Sequence, residues 1–251
     1  MSLDRVRNML AIALMAGLPA LAAQPAPASA EQEKGSGTSR VLVAAEQESV
    51  LAAQMAGRIR HLSVQLGSHI RAGQPLMRFD CDEQEARLKM AKAELYGAQQ
   101  TYESKIKLQA MESVSELEVQ QAAAAVEKFR AQIELNQAQI RLCSISAPFS
   151  GRVTKLRIKN YESVNVGQPL LEVVNDQQLK AQLNIPSIWL AKVKVNTPFT
   201  VRIEETGNTY KARVRRINGK VDAVSQSVEI EGEFQGGTTD LMPGMSGVAS
   251  F

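Results

Sequence analysis

The sequence is poor in the residues that carry most enzymatic chemistry. Two histidines occur in 251 residues, His61 and His69, and two cysteines, Cys81 and Cys143. Neither histidine has further His, Cys or carboxylate partners at metal-site spacing, so no metal centre is expected. No P-loop, dinucleotide fingerprint or G-x-S-x-G elbow is present. The methionines beyond the first thirty residues are scattered, which leaves a thioether copper site unsupported. The expectation is a protein without catalytic activity or cofactor. Aromatics make up 4% of the chain, too few for a large aromatic core. Neither sign of charge dominates: 29 Lys and Arg stand against 26 Asp and Glu, which gives no case for nucleic acid as partner. Long apolar runs are absent after the first thirty residues.

The one apolar run, Met9 to Ala23, follows Arg5 and Arg7 and precedes Ala28-Ser29-Ala30. This is the pattern of a secretory signal peptide over residues 1–30, with Ala22-Ala23 as a rival cleavage point. Its 15 residues fall short of the roughly 20 needed by a spanning helix. No Cys follows the run, so no lipid anchor is expected there. Residues 31–39, polar and Gly/Ser-containing, read as a flexible leader.

What is present is a repeat. Residues 57–79, GRIRHLSVQLGSHIRAGQPLMRF, align without a gap to residues 151–173, GRVTKLRIKNYESVNVGQPLLEV, at an offset of 94. Gly57/Gly151, Arg58/Arg152, Leu62/Leu156 and the run Gly73-Gln74-Pro75-Leu76/Gly167-Gln168-Pro169-Leu170 are identical. Ile59/Val153, Val64/Ile158 and Ile70/Val164 are conservative pairs. Short alternating strands punctuated by Gly57, Gly67 and Gly73 are expected in the first copy. Two copies so far apart suggest two halves of one β-unit split by an insertion.

The insertion, residues 82–142, has no proline and one glycine, Gly97. Ala, Glu, Gln, Lys and Leu dominate it, all strong helix formers. Leu88, Leu95 and Tyr102 recur every seven residues, with Ala91 and Ala98 three positions on. Val119, Val126, Ile133 and Ile140 repeat the pattern, with Ala122 and Phe129. Each is an a/d seam, so two helices pack as an antiparallel hairpin. The break falls near residues 111–115, and Ser115-Glu116-Leu117-Glu118 fits a capping box with Ser115 as N-cap.

Cys81 precedes the first helix and Cys143 follows the second, which places both at the hairpin base. A disulfide is feasible if their Cα atoms come within about 6–7 Å; two buried free thiols are the alternative. After residue 174 the pattern returns to strands, at 179–183, 199–203, 210–214 and 228–234. Thr206-Gly207-Asn208 reads as a turn, and Pro186 opens a short helix through Leu190. This spacing suggests a small barrel.

The split repeat, the helical insertion, the segment Ser146-Ala147-Pro148-Phe149-Ser150-Gly151-Arg152-Val153 and the closing Leu241-Met242-Pro243-Gly244-Met245 together resemble one family. It is that of the periplasmic adaptor subunits, or membrane fusion proteins, which includes the HlyD-like and RND efflux adaptors. The resemblance covers nearly all of residues 40–251. It implies an elongated α+β, mainly β fold: a split lipoyl- or biotinyl-like β-sandwich with an inserted antiparallel α-helical hairpin, followed by a small β-barrel. The first barrel strand and first sandwich half would occupy 40–80, the hairpin 81–143, the second half 144–175 and the barrel 176–251.

The resemblance also implies a role: a periplasmic link between an inner-membrane transporter of RND or ABC type and an outer-membrane channel, commonly as a homo-oligomeric ring. Docking would use the hairpin tip, about residues 108–115, through Lys105, Lys107, Leu108, Met111, Val114 and Ser115. Adaptors that dock on TolC-like channels often show Arg, then Leu four later and Ser seven after that. Here Leu108 and Ser115 fit, Ser104 stands at the Arg position, and Lys105 and Lys107 lie beside it. Because Phe251 closely follows the PGM strand, the membrane-proximal domain of many relatives is expected to be missing, leaving pump contact to the barrel and leader. A biotin or lipoyl carrier is disfavoured, since helix occupies the junction where a carrier lysine would be displayed. An envelope binding protein on the same scaffold, acting without a pump, stays open as the rival reading.

Overall fold

The computed structural model describes residues 37–251; the signal-peptide reading of residues 1–30 and most of the leader lie outside the described residues. The chain runs through β1 (Thr38–Ala45), β2 (Glu48–Ala52), β3 (Gly57–Leu62), β4 (His69–Ile70) and β5 (Pro75–Phe79) into α1 (Asp82–Gln109) and α2 (Glu116–Arg141). It continues with β6 (Ser144–Ser146), β7 (Gly151–Leu156), β8 (Ser163–Val164), β9 (Pro169–Val174) and β10 (Leu179–Pro186). A 3₁₀ turn (Ser187–Ala191), β11 (Pro198–Ile203), β12 (Thr209–Ile217), β13 (Ser227–Gln235) and β14 (Ser246–Ser250) complete it. β1 begins at Thr38, inside the segment read from composition as a leader. Thr38 and Ser39 pair with Ser250 and Ala249 of β14, so backbone pairing rather than an apolar pattern sets the start of the strand.

Strands β1, β10, β13, β12, β11 and β14 close into a barrel in that order, every neighbouring pair antiparallel. Alternation supplies its core. Val41 and Val43, Leu179 through Ile185 at every second residue, Phe199, Val201 and Ile203, and Val228 and Ile230 all point inward and are buried.

The two repeat copies build two four-stranded sheets, β2-β9-β7-β4 and β6-β5-β3-β8. Each sheet takes two strands from one copy, one short strand (β4 or β8) from the other, and one strand (β2 or β6) from just upstream of a copy, so the halves are interlocked rather than side by side. The pairing obeys an approximate two-fold. His69 faces Arg152 and Ile70 faces Gly151, while Ser163 faces Arg58 and Val164 faces Gly57. The loops follow the same rule. Gly73 N–H donates to Ala147 O at 2.8 Å, and Gly167 N–H to Ala53 O at 2.8 Å. Paired apolar positions are buried alike: Ile59 with Val153, Val64 with Ile158, Leu76 with Leu170. The symmetry extends to Ala53 and Ala147, upstream of the stretch where sequence similarity is evident.

Helices α1 and α2 run antiparallel, as contacts at three levels fix. Lys105 Nζ donates to Glu118 Oε1 at 2.9 Å near the turn. Asn136 Nδ2 donates to Arg87 O at 3.3 Å further down. At the base, Cys81 and Cys143 are joined by a disulfide with Cα atoms 6.2 Å apart. Ala91, Ala122 and Val126 are buried between the helices, and small alanines let them approach closely. Asn136 is also buried in the seam, at a d-type position. A single polar residue there fixes register better than another aliphatic would. The pair stands on the sandwich through β5 and β6, where Phe79 N–H donates to Cys143 O at 2.8 Å.

Candidate functional site

The turn joining α1 to α2 is built to hold one shape. Gln109 ends α1, and the N–H groups of Met111 and Ser113 both donate to Leu108 O, at 3.1 and 2.9 Å. Glu112 takes the left-handed backbone, φ 54°, that reverses the chain. Ser115 then caps α2. Its Oγ accepts from Glu118 N–H at 3.3 Å, and its own N–H donates to Glu118 Oε2 at 3.1 Å. This reciprocal box satisfies two donors that helix geometry leaves open.

Glu118 is the hub. Lys105 bonds its second oxygen, so the carboxylate answers to both helices at once. The Lys105 hydrogen bond, reinforced by the Ser115 N–H, holds the Glu118 carboxyl below its usual range. Lys105 is thereby engaged within the helix pair, whereas Lys107 stands exposed at the turn. Val114 is half-buried beneath the turn. Leu108 is exposed and Met111 more so, at 73%.

Two residues that sequence patterning passed over complete the surface. Ile106 and Leu117 are also exposed, so Ile106, Leu108, Met111 and Leu117 form an apolar crown on the turn. Both lie off the a/d seam, and an apolar residue off the seam beside a helix terminus was the available signal. Such a crown offers shape and apolar area to a partner. It holds no nucleophile, and among the described residues no group of three or more His, Cys, Asp or Glu could hold a metal ion.

His61 and His69 lie elsewhere, exposed on the sandwich. His69 Nε2 meets Arg152 Nη2 at 2.8 Å, and Arg152 Nε donates to Asp176 at 3.1 Å. The group ties β4 and β7 to the connection leading into the barrel. No helix among the described residues is long and apolar enough to cross a membrane.

Comparison with known proteins places these features. Residues 47–177, more than half of the chain, match the family model described as the RND MFP barrel-sandwich hybrid domain. An uncharacterized Haemophilus influenzae protein is 28% identical over 194 residues, covering 77% of this chain and 51% of its own length. Nodulation protein NolF of Rhizobium meliloti is 24% identical over 211 residues, covering 75% and 58%. The chain thus spans little more than half the length of these curated relatives.

Among solved structures, a MacA-MexA chimeric protein containing the Pseudomonas aeruginosa MexA α-hairpin domain superposes with a TM-score of 0.75. It shares 21% identity, covering 84% of this chain and 78% of its own. The membrane fusion protein Spr0693 of Streptococcus pneumoniae R6 gives 0.73 at 16% identity, covering 85% and 97%. At these identities the structures report the fold alone. The family match across both sandwich halves and the helices between them identifies the chain as a member of the RND membrane fusion protein family.

Proposed function

We propose that this protein is a non-catalytic periplasmic adaptor, linking an inner-membrane transporter to an outer-membrane channel in a tripartite efflux or secretion system. On this reading the interlocked halves are a lipoyl-like sandwich, the helix pair is an inserted hairpin, and several copies assemble as a ring. The signal peptide delivers the chain to the periplasm, where it stays at the inner membrane through its partner. The apolar crown at the turn carries the proposal. Its four aliphatic side chains face solvent on a turn whose shape Ser115, Glu118 and Lys105 fix. A rigid turn that exposes apolar area is suited to insertion between the helices of a channel.

Affinity purification from envelopes after in vivo cross-linking tests this. The native protein is expected to bring down an integral inner-membrane transporter and an outer-membrane channel. Leu108→Asp combined with Met111→Asp is expected to lose the channel, keep the transporter and leave helicity unchanged. Ser115→Arg is a poorer probe, because it also removes the α2 cap, which is worth about 1 kcal/mol. Recovery of neither membrane partner with the native protein would refute the proposal.

A further inference from the structure

The registers fix which loops share an end of the barrel. Thr38 of β1 pairs with Ser250 of β14, Pro186 of β10 with Ser227 of β13, and Pro198 of β11 with Arg213 of β12. Residues 187–197, residues 218–226 and the start of β1 therefore lie at one end. At the other end Ala45 pairs with Leu179, and both connections to the sandwich, residues 46–47 and 175–178, leave there. The first end is the one turned away from the sandwich.

That end carries apolar side chains in water. Val224 is 95% exposed and Ile188 79%, and Val195 and Val221 are exposed as well. The two loops are tied together, Ser187 N–H donating to Gln226 O at 2.9 Å. Asp222 shapes the second loop: its Oδ1 accepts the N–H groups of Val224 and Ser225 at 3.0 and 2.8 Å, which leaves Val224 on the outer bend. Exposed Lys192, Lys194 and Lys220 stand among these residues. Asp222 is the one acid in the two loops, and its carboxylate is committed to amides of its own loop. Trp189, the single tryptophan of the chain, lies half-buried at the same end, its ring edge-on to Phe251 at 5.9 Å.

Single exposed aliphatics need no explanation, but several on two tied loops do. Protein interfaces favour aromatics and Arg and are depleted in Lys. Apolar tips flanked by lysines, with a tryptophan at the boundary, are the composition of an interfacial lipid contact. There the aliphatics enter the acyl boundary, the lysines meet phosphates, and the indole sits at headgroup level. We propose that this end of the barrel rests on a bilayer containing anionic phospholipid, inserting Ile188 and Val224 between Lys192, Lys194 and Lys220. The proposal deepens the adaptor reading by naming the surface that meets the inner membrane, and the vesicle measurement that tests it needs neither transporter nor channel.

Trp189 is an internal reporter. Exported protein purified from the envelope is mixed with vesicles of phosphatidylcholine, alone or with phosphatidylglycerol, and followed by co-sedimentation and by Trp189 emission. Binding to the anionic vesicles is expected, with a blue shift and with quenching by brominated acyl chains. Each Lys→Gln substitution is expected to weaken partitioning roughly fivefold, and Ile188→Asp with Val224→Asp to abolish it while the barrel stays folded. Three results would overturn the proposal: no binding to anionic vesicles, binding unaffected by the double Asp variant, or sedimentation with no change in Trp189 emission. Loss of a detergent-solubilised transporter by the double variant, without vesicle binding by the native chain, would assign the surface to protein instead. None of these outcomes bears on docking at the turn.

Discussion

Tyr161 occupies in the second half of the sandwich the backbone place that Gly67 occupies in the first. Their φ angles are 67° and 80°. Tyr161 N–H donates to Ile59 O and Gly67 N–H to Val153 O, each at 2.9 Å, and both donors and acceptors are 94 residues apart. The left-handed backbone costs an L-residue roughly 1–2 kcal/mol and glycine almost nothing. The Tyr161 ring is exposed and has little packing to lose. Tyr161→Gly is therefore expected to stabilise the protein, by about 0.5–1 kcal/mol once the looser unfolded chain is counted. Gly67→Ala is expected to cost about 1 kcal/mol, for conformational reasons alone, since nothing lies within 4 Å of an added Cβ. Chemical denaturation of both variants measures this, and a destabilising Tyr161→Gly would contradict the equivalence.

Gly57 and Gly151 are identical in the repeat but not in what surrounds them. A Cβ on Gly151 would lie 2.0 Å from Val174 O, where only backbone movement could make room. A Cβ on Gly57 would meet Phe79 Cδ1 at 3.6 Å, an ordinary contact. Gly151→Ala is expected to lose about 3 kcal/mol or to fail to fold, and Gly57→Ala to stay within about 1 kcal/mol of the parent. Thermal unfolding of the two variants decides, and the opposite order would show that the sandwich is packed differently.

The disulfide at the helix base closes a segment with a sequence separation of 62. In the chain-entropy model such a loop contributes on the order of 4 kcal/mol. The double variant Cys81→Ser/Cys143→Ser is expected to unfold at a clearly lower temperature, matching reduced parent protein. Mass spectrometry of alkylated, unreduced protein from the envelope is expected to find neither thiol modified. Two alkylated cysteines would contradict the bond.

Several carboxylates are held below their usual range by cationic partners. Glu172 is held by Arg157 and then Lys155, Asp80 by Arg58, and Glu118 by Lys105. A carboxyl whose folded value is depressed contributes stability that is complete above the unfolded value, near pH 4. That stability disappears as pH falls through the folded value. Unfolding temperature is thus expected to vary little through these groups above about pH 5, and to drop steadily on acidification below it. Glu172→Gln should shallow the drop. Stability that rises on acidification would contradict this assignment of partners.

The helices were legible because composition and period agreed over a segment with no proline and one glycine. The observed seam buries Ala91, Ala122 and Val126, three of the residues the heptad pattern selects. Ser115 and Glu118 declared the second cap by spacing alone. Asn136 escaped notice, because an amide at a d-type position reads as polar surface until its partner, the Arg87 carbonyl, is known. The barrel strands were visible through alternation in β10, β11, β12 and β13, less so in β14, where Gly247 and Ala249 carry little apolar signal. The exchange of strands between sheets was not legible at all. It rests on β4 and β8, two residues each, too short for any period. At the turn, Leu108 and Met111 were visible as apolar residues near a break. Ile106 and Leu117 needed the helical geometry to show that they face outward.

The α1–α2 turn is proposed to meet an outer-membrane partner. Incorporating a photo-reactive amino acid at Met111 in living cells, with exposed Glu134 far down α2 as the control, tests it most directly. A covalent adduct with an integral outer-membrane channel is expected from position 111 and none with that channel from position 134. Folded, correctly exported protein that forms no such adduct at 111, or forms it equally at 134, would contradict it.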